Sequence, residues 1–149
     1  MAERGSIEVR VGATTDRGRV RENNEDAFLV HHPVYAVADG MGGMNAGEVA
    51  SGLALDTLRA GADSGGVAEV SVQAWVLEAN RVVFERARQD LSAAGMGTTL
   101  VMVAPDGDRL RLAHVGDSRA YLFRNGALRQ LTEDHTKVQR LLKEGLISA

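Results

Sequence analysis

The stretch Val34-Tyr-Ala-Val-Ala-Asp39-Gly-Met-Gly-Gly-Met-Asn-Ala-Gly-Glu-Val-Ala-Ser51 changes period in its middle, and that change sets the architecture. Val34 to Ala38 is a short apolar run of the kind that fills a buried strand. Asp39 ends it, and Gly40, Gly42 and Gly43 supply a turn in which the backbone folds tightly. Asn45 followed by Glu48 has the spacing of a capping box, with Asn in the Ser/Thr slot. A helix from about Ala46 to Ala60 follows, with Val49, Ala50, Leu53, Ala54 and Leu58 inward. The sequence therefore places a carboxylate at the end of a strand, beside a glycine turn that lets a main-chain carbonyl face inward.

Upstream, Ala27 to Val30 forms a second apolar run, joined to Val34–Ala38 by a tight connection at Pro33. Ile7, Val9, Val11 and Ala13 alternate with more polar neighbours and predict a half-buried strand. Downstream, Gly61-Ala-Asp-Ser-Gly-Gly66 reads as a loop. A longer helix then runs from about Ser71 to Leu91, with Val76, Val83, Phe84, Ala87 and Leu91 as its apolar stripe. Strands follow at Thr98 to Val103, Leu110 to Val115 and Ala120 to Phe123. Asn125-Gly126 predicts a hairpin turn, because both residues accept positive φ. A short helix, about Thr136 to Glu144, ends at Gly145. Strands at both ends with helices between predict an α+β domain built on antiparallel sheet.

Composition narrows the function. The chain has 149 residues, a formal charge of −3, 44% hydrophobic and 25% charged residues, which suits one globular domain over residues 1–149. The weak acidic balance speaks against a nucleic-acid-binding surface. The chain has no cysteine, so a disulfide framework, a thiolate metal site and a cysteine nucleophile are excluded. The longest uncharged run, Leu91 to Pro105, is too short to span a bilayer. The first residues lack the apolar stretch of a signal peptide. A soluble, cytoplasmic protein with no membrane association is expected.

Four clusters carry chemistry: residues 16–26, 39–51, 95–99, and 114–122 with 131–136. Asp39 with an inward carbonyl at Gly40 is a hard, all-oxygen ligand set that suits Mg²⁺ or Mn²⁺. Taken alone it is equally an Asp-Gly turn between strand and helix. Glu25 and Asp26 begin a strand, so their side chains face opposite ways and do not chelate one ion together. Arg21 can clamp a phosphate bidentately or sit solvated on the surface. Asp117 is either a further metal ligand or the cap of a turn that includes Ser118. His31, His32, His114 and His135 lack metal-ligand spacing and read as structural. Thr98-Thr99 reads as a buried hydrogen-bonding pair, and the methionines as packing residues. No Gly-Lys-Ser/Thr follows the glycines at 40–43, so they are not a phosphate loop.

In order and spacing, Arg21-x-x-Asn24-Glu25-Asp26, Asp39-Gly-Met-Gly-Gly, Gly97-Thr-Thr, Val115-Gly-Asp-Ser-Arg119 and Leu131-Thr-x-Asp134-His-Thr136 resemble the bacterial branch of the PPM-type (protein phosphatase 2C-like) metal-dependent serine/threonine phosphatases. The resemblance runs from about residue 7 to residue 148. It implies a four-layer αββα sandwich, two antiparallel sheets facing each other with helices outside. It implies two Mg²⁺ or Mn²⁺ ions, with a third site in bacterial forms. Asp39 would bridge two ions, Gly40 would give one its carbonyl, Glu25 and Asp26 would act through coordinated water, and Asp117 would serve the third ion. Arg21 would hold the substrate phosphate. The substrate would be a phosphorylated protein, with a Ser/Thr kinase and its targets as signalling partners. The chain departs from the family at Met44, where bacterial forms often have His, and at Met41, where other branches have a His. No Asp-Gly and Asp-Asn pair follows position 136, so the chain is expected to be the N-terminal portion of such a domain. It then carries roughly half of the directly coordinating carboxylates and binds ions more weakly. A non-catalytic binding or regulatory module of the same fold is the alternative reading.

Overall fold

The computed structural model describes residues 8–43, 46–64, 67 and 72–146. Among the described residues, seven strands and three α-helices occur in the order β1 (Asp26–His31), β2 (Val34–Met41), α1 (Ala46–Ser64), α2 (Val72–Gln89), β3 (Gly97–Thr98), β4 (Leu100–Asp106), β5 (Arg109–Val115), β6 (Tyr121–Arg124), β7 (Ala127–Gln130) and α3 (Lys137–Lys143). Five strands form one antiparallel sheet. Its main order is β1-β2-β4-β5, with β3 paired to the end of β2. The hairpin β6–β7 stands as a separate two-stranded sheet. This is the expected α+β, antiparallel architecture. Among the described residues, the second of the two expected sheets is this hairpin.

The alternation along β2 explains which face is covered. Val34, Ala36, Ala38 and Gly40 are buried, while Val37, Asp39 and Met41 are exposed. The buried set meets Leu29 of β1, Leu100, Met102 and Ala104 of β4, and the inner stripe of α1, made of Ala50, Ala54, Leu55 and Leu58. Small residues dominate where α1 crosses the sheet, so helix and strands approach closely. Leu58, Met102 and Val34 are fully buried, each contributing about 1.5–3 kcal/mol of transfer free energy. The opposite face of the sheet carries Phe28, Val30 and Val37, all partly exposed, and the carboxylates of the site.

Several sequence expectations shift. Residues 8–13 form no strand and are exposed. An alternating pattern becomes a strand only beside a partner, and none of the described strands pairs with it. Gly61 to Ser64 belongs to α1 and not to a loop. Gly61 serves packing: a Cβ there would stand 2.8 Å from Cδ1 and Nε1 of Trp75 in α2. The glycine lets that buried indole lie on α1. Helix α2 stops at Gln89, where Asp90 caps a short 3₁₀ turn by accepting from the Ser92 N–H. Leu91 therefore lies beyond the helix and is exposed, and Phe84 is exposed with the Arg88 guanidinium 5.8 Å from its ring centroid. Val49 is also partly exposed; Ser51 takes a buried place on α1 instead. Asn45 and Ser71 lie outside the described residues. The Asn125-Gly126 turn has φ of 52° and 77°, as its residues predict. Thr136 caps α3 by accepting from the Gln139 N–H, and Gly145 follows with φ of 70°.

Candidate metal centre

The site grows from the pairing of β1 with β2. The register sets Asp26 opposite Asp39, which puts both carboxylates on the sheet face away from α1. The two carboxyl groups are close enough to interact electrostatically. Glu25 goes the other way, as the strand period requires. Its carboxylate lies against Gly47 in the first turn of α1, where a Cβ would be 2.7 Å from Glu25 Cδ. The main chain of Glu25 ties the region together: its carbonyl accepts from the Gly40 N–H (3.1 Å) and from Ser51 Oγ (2.7 Å). Asn24 Oδ1 accepts from the Asp26 N–H, and Asn24 Nδ2 donates to Thr15 Oγ1.

Two clefts meet at the Asp26–Asp39 pair. One, of about 220 Å³, is lined by Asp16, Arg21, Glu25, Asp26, Asp39 and Gly40 among others. The second, of about 360 Å³, is lined by Asp16, Asp26, Phe28, Val37, Asp39 and Ser118 with their neighbours. Asp39 has its carboxyl pushed above the usual carboxylate range. Partial burial is the largest cause, followed by the charge and hydrogen bond of Asp26 and by the charge of Asp117, while Arg21 opposes the shift. Carboxylates thus converge on one cleft that Arg17 and Arg21 also line.

The structure brings Asp39, Asp26, Gly40 and Arg21 to one cleft and sets Asp117 within electrostatic reach. Glu25 lines the same cleft from the α1 side. Among the described residues, no three carboxylate or imidazole side chains close into a complete metal cage. The donor chemistry fits a hard divalent cation that keeps part of its water shell, since every available donor is oxygen. Sequence reasoning gave no role to Asp16, which lines both clefts; its place at the head of the residue 16–26 cluster was the available signal. The four histidines have structural partners: His31 bonds Asp63, His32 meets Tyr35, His114 bonds the Glu133 carbonyl, and His135 accepts from the Gly116 N–H. No helix among the described residues is long and apolar enough to cross a membrane.

A helix-backed antiparallel sheet with a carboxylate pair at its open face belongs to a known class. The sequence matches the family model of protein phosphatase 2C over residues 15–141, and the chain is a member of that family. It is 43% identical over 147 residues to the serine/threonine protein phosphatase PstP of Mycobacterium tuberculosis, covering 97% of this chain and 29% of PstP. It is 41% identical over 145 residues to the serine/threonine phosphatase stp of Listeria welshimeri, covering 90% of this chain and 58% of that protein. The crystal structure of the Mycobacterium tuberculosis phosphatase superimposes with a TM-score of 0.80 at 44% identity, over 89% of this chain and 57% of that one. A structure of the PstP catalytic domain in complex with two manganese ions gives 0.78 at 44% identity, over 89% and 59%. The chain thus spans less than two thirds of each of these relatives.

Proposed function

We propose that this chain provides the Asp39 half of a metal-dependent protein serine/threonine phosphatase centre. The observation that carries the reading is the Asp26–Asp39 carboxylate pair lining one cleft with Arg21, in a member of the protein phosphatase 2C family. Asp39 and the Gly40 carbonyl would hold the cation, Mn²⁺ or Mg²⁺. Asp26 and Glu25 would act through its water shell, and Asp117 would add charge for a further ion. Bound divalent cations supply the Lewis acidity that eases deprotonation of the attacking water near neutral pH. The Arg21 guanidinium takes two phosphate oxygens in a bidentate grip and offsets charge that grows on them during displacement. The chain has no cysteine, and the Thr98, Thr99 and Ser118 hydroxyls are engaged with the Asp39 main chain or with each other, which fits attack by water without a phosphoenzyme. The substrate is a phosphoserine or phosphothreonine protein, with a Ser/Thr kinase as signalling counterpart in the cytoplasm.

The test is Mn²⁺-dependent phosphate release from a phosphothreonine peptide, with Asp39→Asn and Arg21→Ala beside the parent chain. Release that needs metal, is lost in Asp39→Asn and has a raised KM in Arg21→Ala supports the reading. A folded chain that binds Mn²⁺ at Asp39 without releasing phosphate favours the binding-module alternative.

A further inference from the structure

Asp39 is gripped by a buried residue to which the reading above gives no role. The Asp39 N–H donates to Thr99 Oγ1 at 3.0 Å. The Asp39 carbonyl accepts from the Thr99 N–H at 2.9 Å and from Thr98 Oγ1 at 3.0 Å. Both polar main-chain groups of Asp39 thus end on the Thr98–Thr99 pair. Thr99 Oγ1 also lies 2.7 Å from Oγ of Ser118, the residue after Asp117. The methyl side of Thr99 packs on the same turn: a Cβ at Gly116 would stand 2.7 Å from Thr99 Cγ2. Thr99 is only 3% exposed.

One hydroxyl therefore touches two segments that are far apart in the chain and are not paired with each other in the sheet. The first is the end of β2, which carries Asp39. The second is the turn after β5, which carries Asp117. Packing alone explains a buried β-branched residue at position 99, and valine would fill nearly the same space. It does not explain a hydroxyl that accepts from one acidic segment while bonded to the other. We infer that Thr99 is a positioning residue: its hydroxyl fixes the separation of Asp39 and Asp117, and with it the affinity of the site for a divalent cation. The inference rests on the metal-centre reading of Asp39. Groups that orient ligands typically change metal affinity 10- to 100-fold when removed.

The experiment is calorimetric titration of the full chain with Mn²⁺ alone, well below the melting temperature of each variant. Thr99→Val is expected to weaken binding about 10-fold or more, and Thr99→Ser, which keeps the hydroxyl, to stay within about 3-fold of the parent chain. Ser118→Ala removes the other end of the bridge with little change in packing, and is expected to weaken binding several-fold. In the Thr99→Val background it should add nothing, since the bridge is already gone. Ser118→Ala also keeps the inference testable where Thr99→Val fails to fold. Unchanged affinity in a folded Thr99→Val, equal losses in Thr99→Val and Thr99→Ser, or an unchanged Ser118→Ala would each overturn the inference while leaving the metal centre standing. A parent chain that binds no Mn²⁺ would overturn both.

Discussion

Gly40→Ala is the substitution for which the structure makes the sharpest demand. A Cβ at position 40 would stand 2.0 Å from the Gly47 carbonyl oxygen, 2.4 Å from the Gly47 carbonyl carbon and 2.7 Å from the Glu25 carbonyl oxygen. All three are backbone atoms, so no side chain can swing aside. Restoring ordinary contact requires the first turn of α1 to withdraw from β2 by roughly 1 Å or more, and a gap of that size forfeits a quarter to a half of each dispersion contact it opens. The helix that must move carries Ala50, Ala54 and Leu58, all buried against the sheet. The expected cost is about 3 kcal/mol, at the upper end of overpacking in a core, or roughly 10 °C in Tm for a domain of this size. Gly52→Ala is the matched control. It sits inside α1 with nothing within 4 Å of its Cβ position, so alanine should stabilise by about 0.5–1 kcal/mol through helix propensity. Urea unfolding followed by far-ultraviolet circular dichroism measures both. Gly40→Ala within about 0.5 kcal/mol of the parent, or Gly52→Ala as damaging as Gly40→Ala, would refute the packing reasoning.

Further expectations follow from the same contacts. Gly61→Ala should cost about 1–3 kcal/mol by driving a methyl into the Trp75 ring, with a matching change in the tryptophan fluorescence maximum. Without metal, the raised Asp39 carboxyl makes the folded chain bind a proton more tightly than the unfolded one, so this group's contribution to stability falls as pH rises from near 3.8 through its raised value. Asp39→Asn should remove that slope and raise metal-free stability near neutral pH by about 1 kcal/mol or less after solvent screening, while Mn²⁺ should raise the melting temperature of the parent and not of the variant. Asp134 has the opposite sign. Arg119 bonds it through Nε at 2.8 Å and Nη2 at 2.6 Å and holds its carboxyl below the usual range. Its stabilising contribution is present above the ordinary carboxylate pKa and lost as pH falls through the depressed value. Asp134→Asn should therefore lower the melting temperature at pH 7 and flatten the acid limb of the stability curve.

What the sequence revealed depended on whether the signal was local. The Asn125-Gly126 turn and the glycine stop at Gly145 are written in neighbouring residues and emerged as read, whereas Val34–Ala38, read as an unbroken apolar run, alternates with Val37 exposed. The opposed directions of Glu25 and Asp26 were equally legible, because a strand permits nothing else. The contact between Asp26 and Asp39 was not. It requires the register of β1 on β2, which thirteen positions of separation leave open in the sequence. Gly61 looked like punctuation and proved to be a packing site, since its reason is Trp75 on another helix. Thr99 was read as a hydrogen-bonding residue, but its two partners, Asp39 and Ser118, lie sixty and nineteen residues away. Residues 8–13 show the reverse failure: the pattern of a strand is present, and no described strand pairs with it.

The most direct measurement of the central claim is where Mn²⁺ sits. Substoichiometric Mn²⁺ added to ¹⁵N-labelled chain broadens amide signals near the paramagnetic ion. Asp26, Asp39 and Gly40 should broaden first, Asp117 next and the Asp106–Arg109 turn at the far end of the sheet last, and Asp39→Asn should abolish the pattern. Broadening centred on another acidic group, such as Glu133–Asp134, or a pattern untouched by Asp39→Asn, would contradict it.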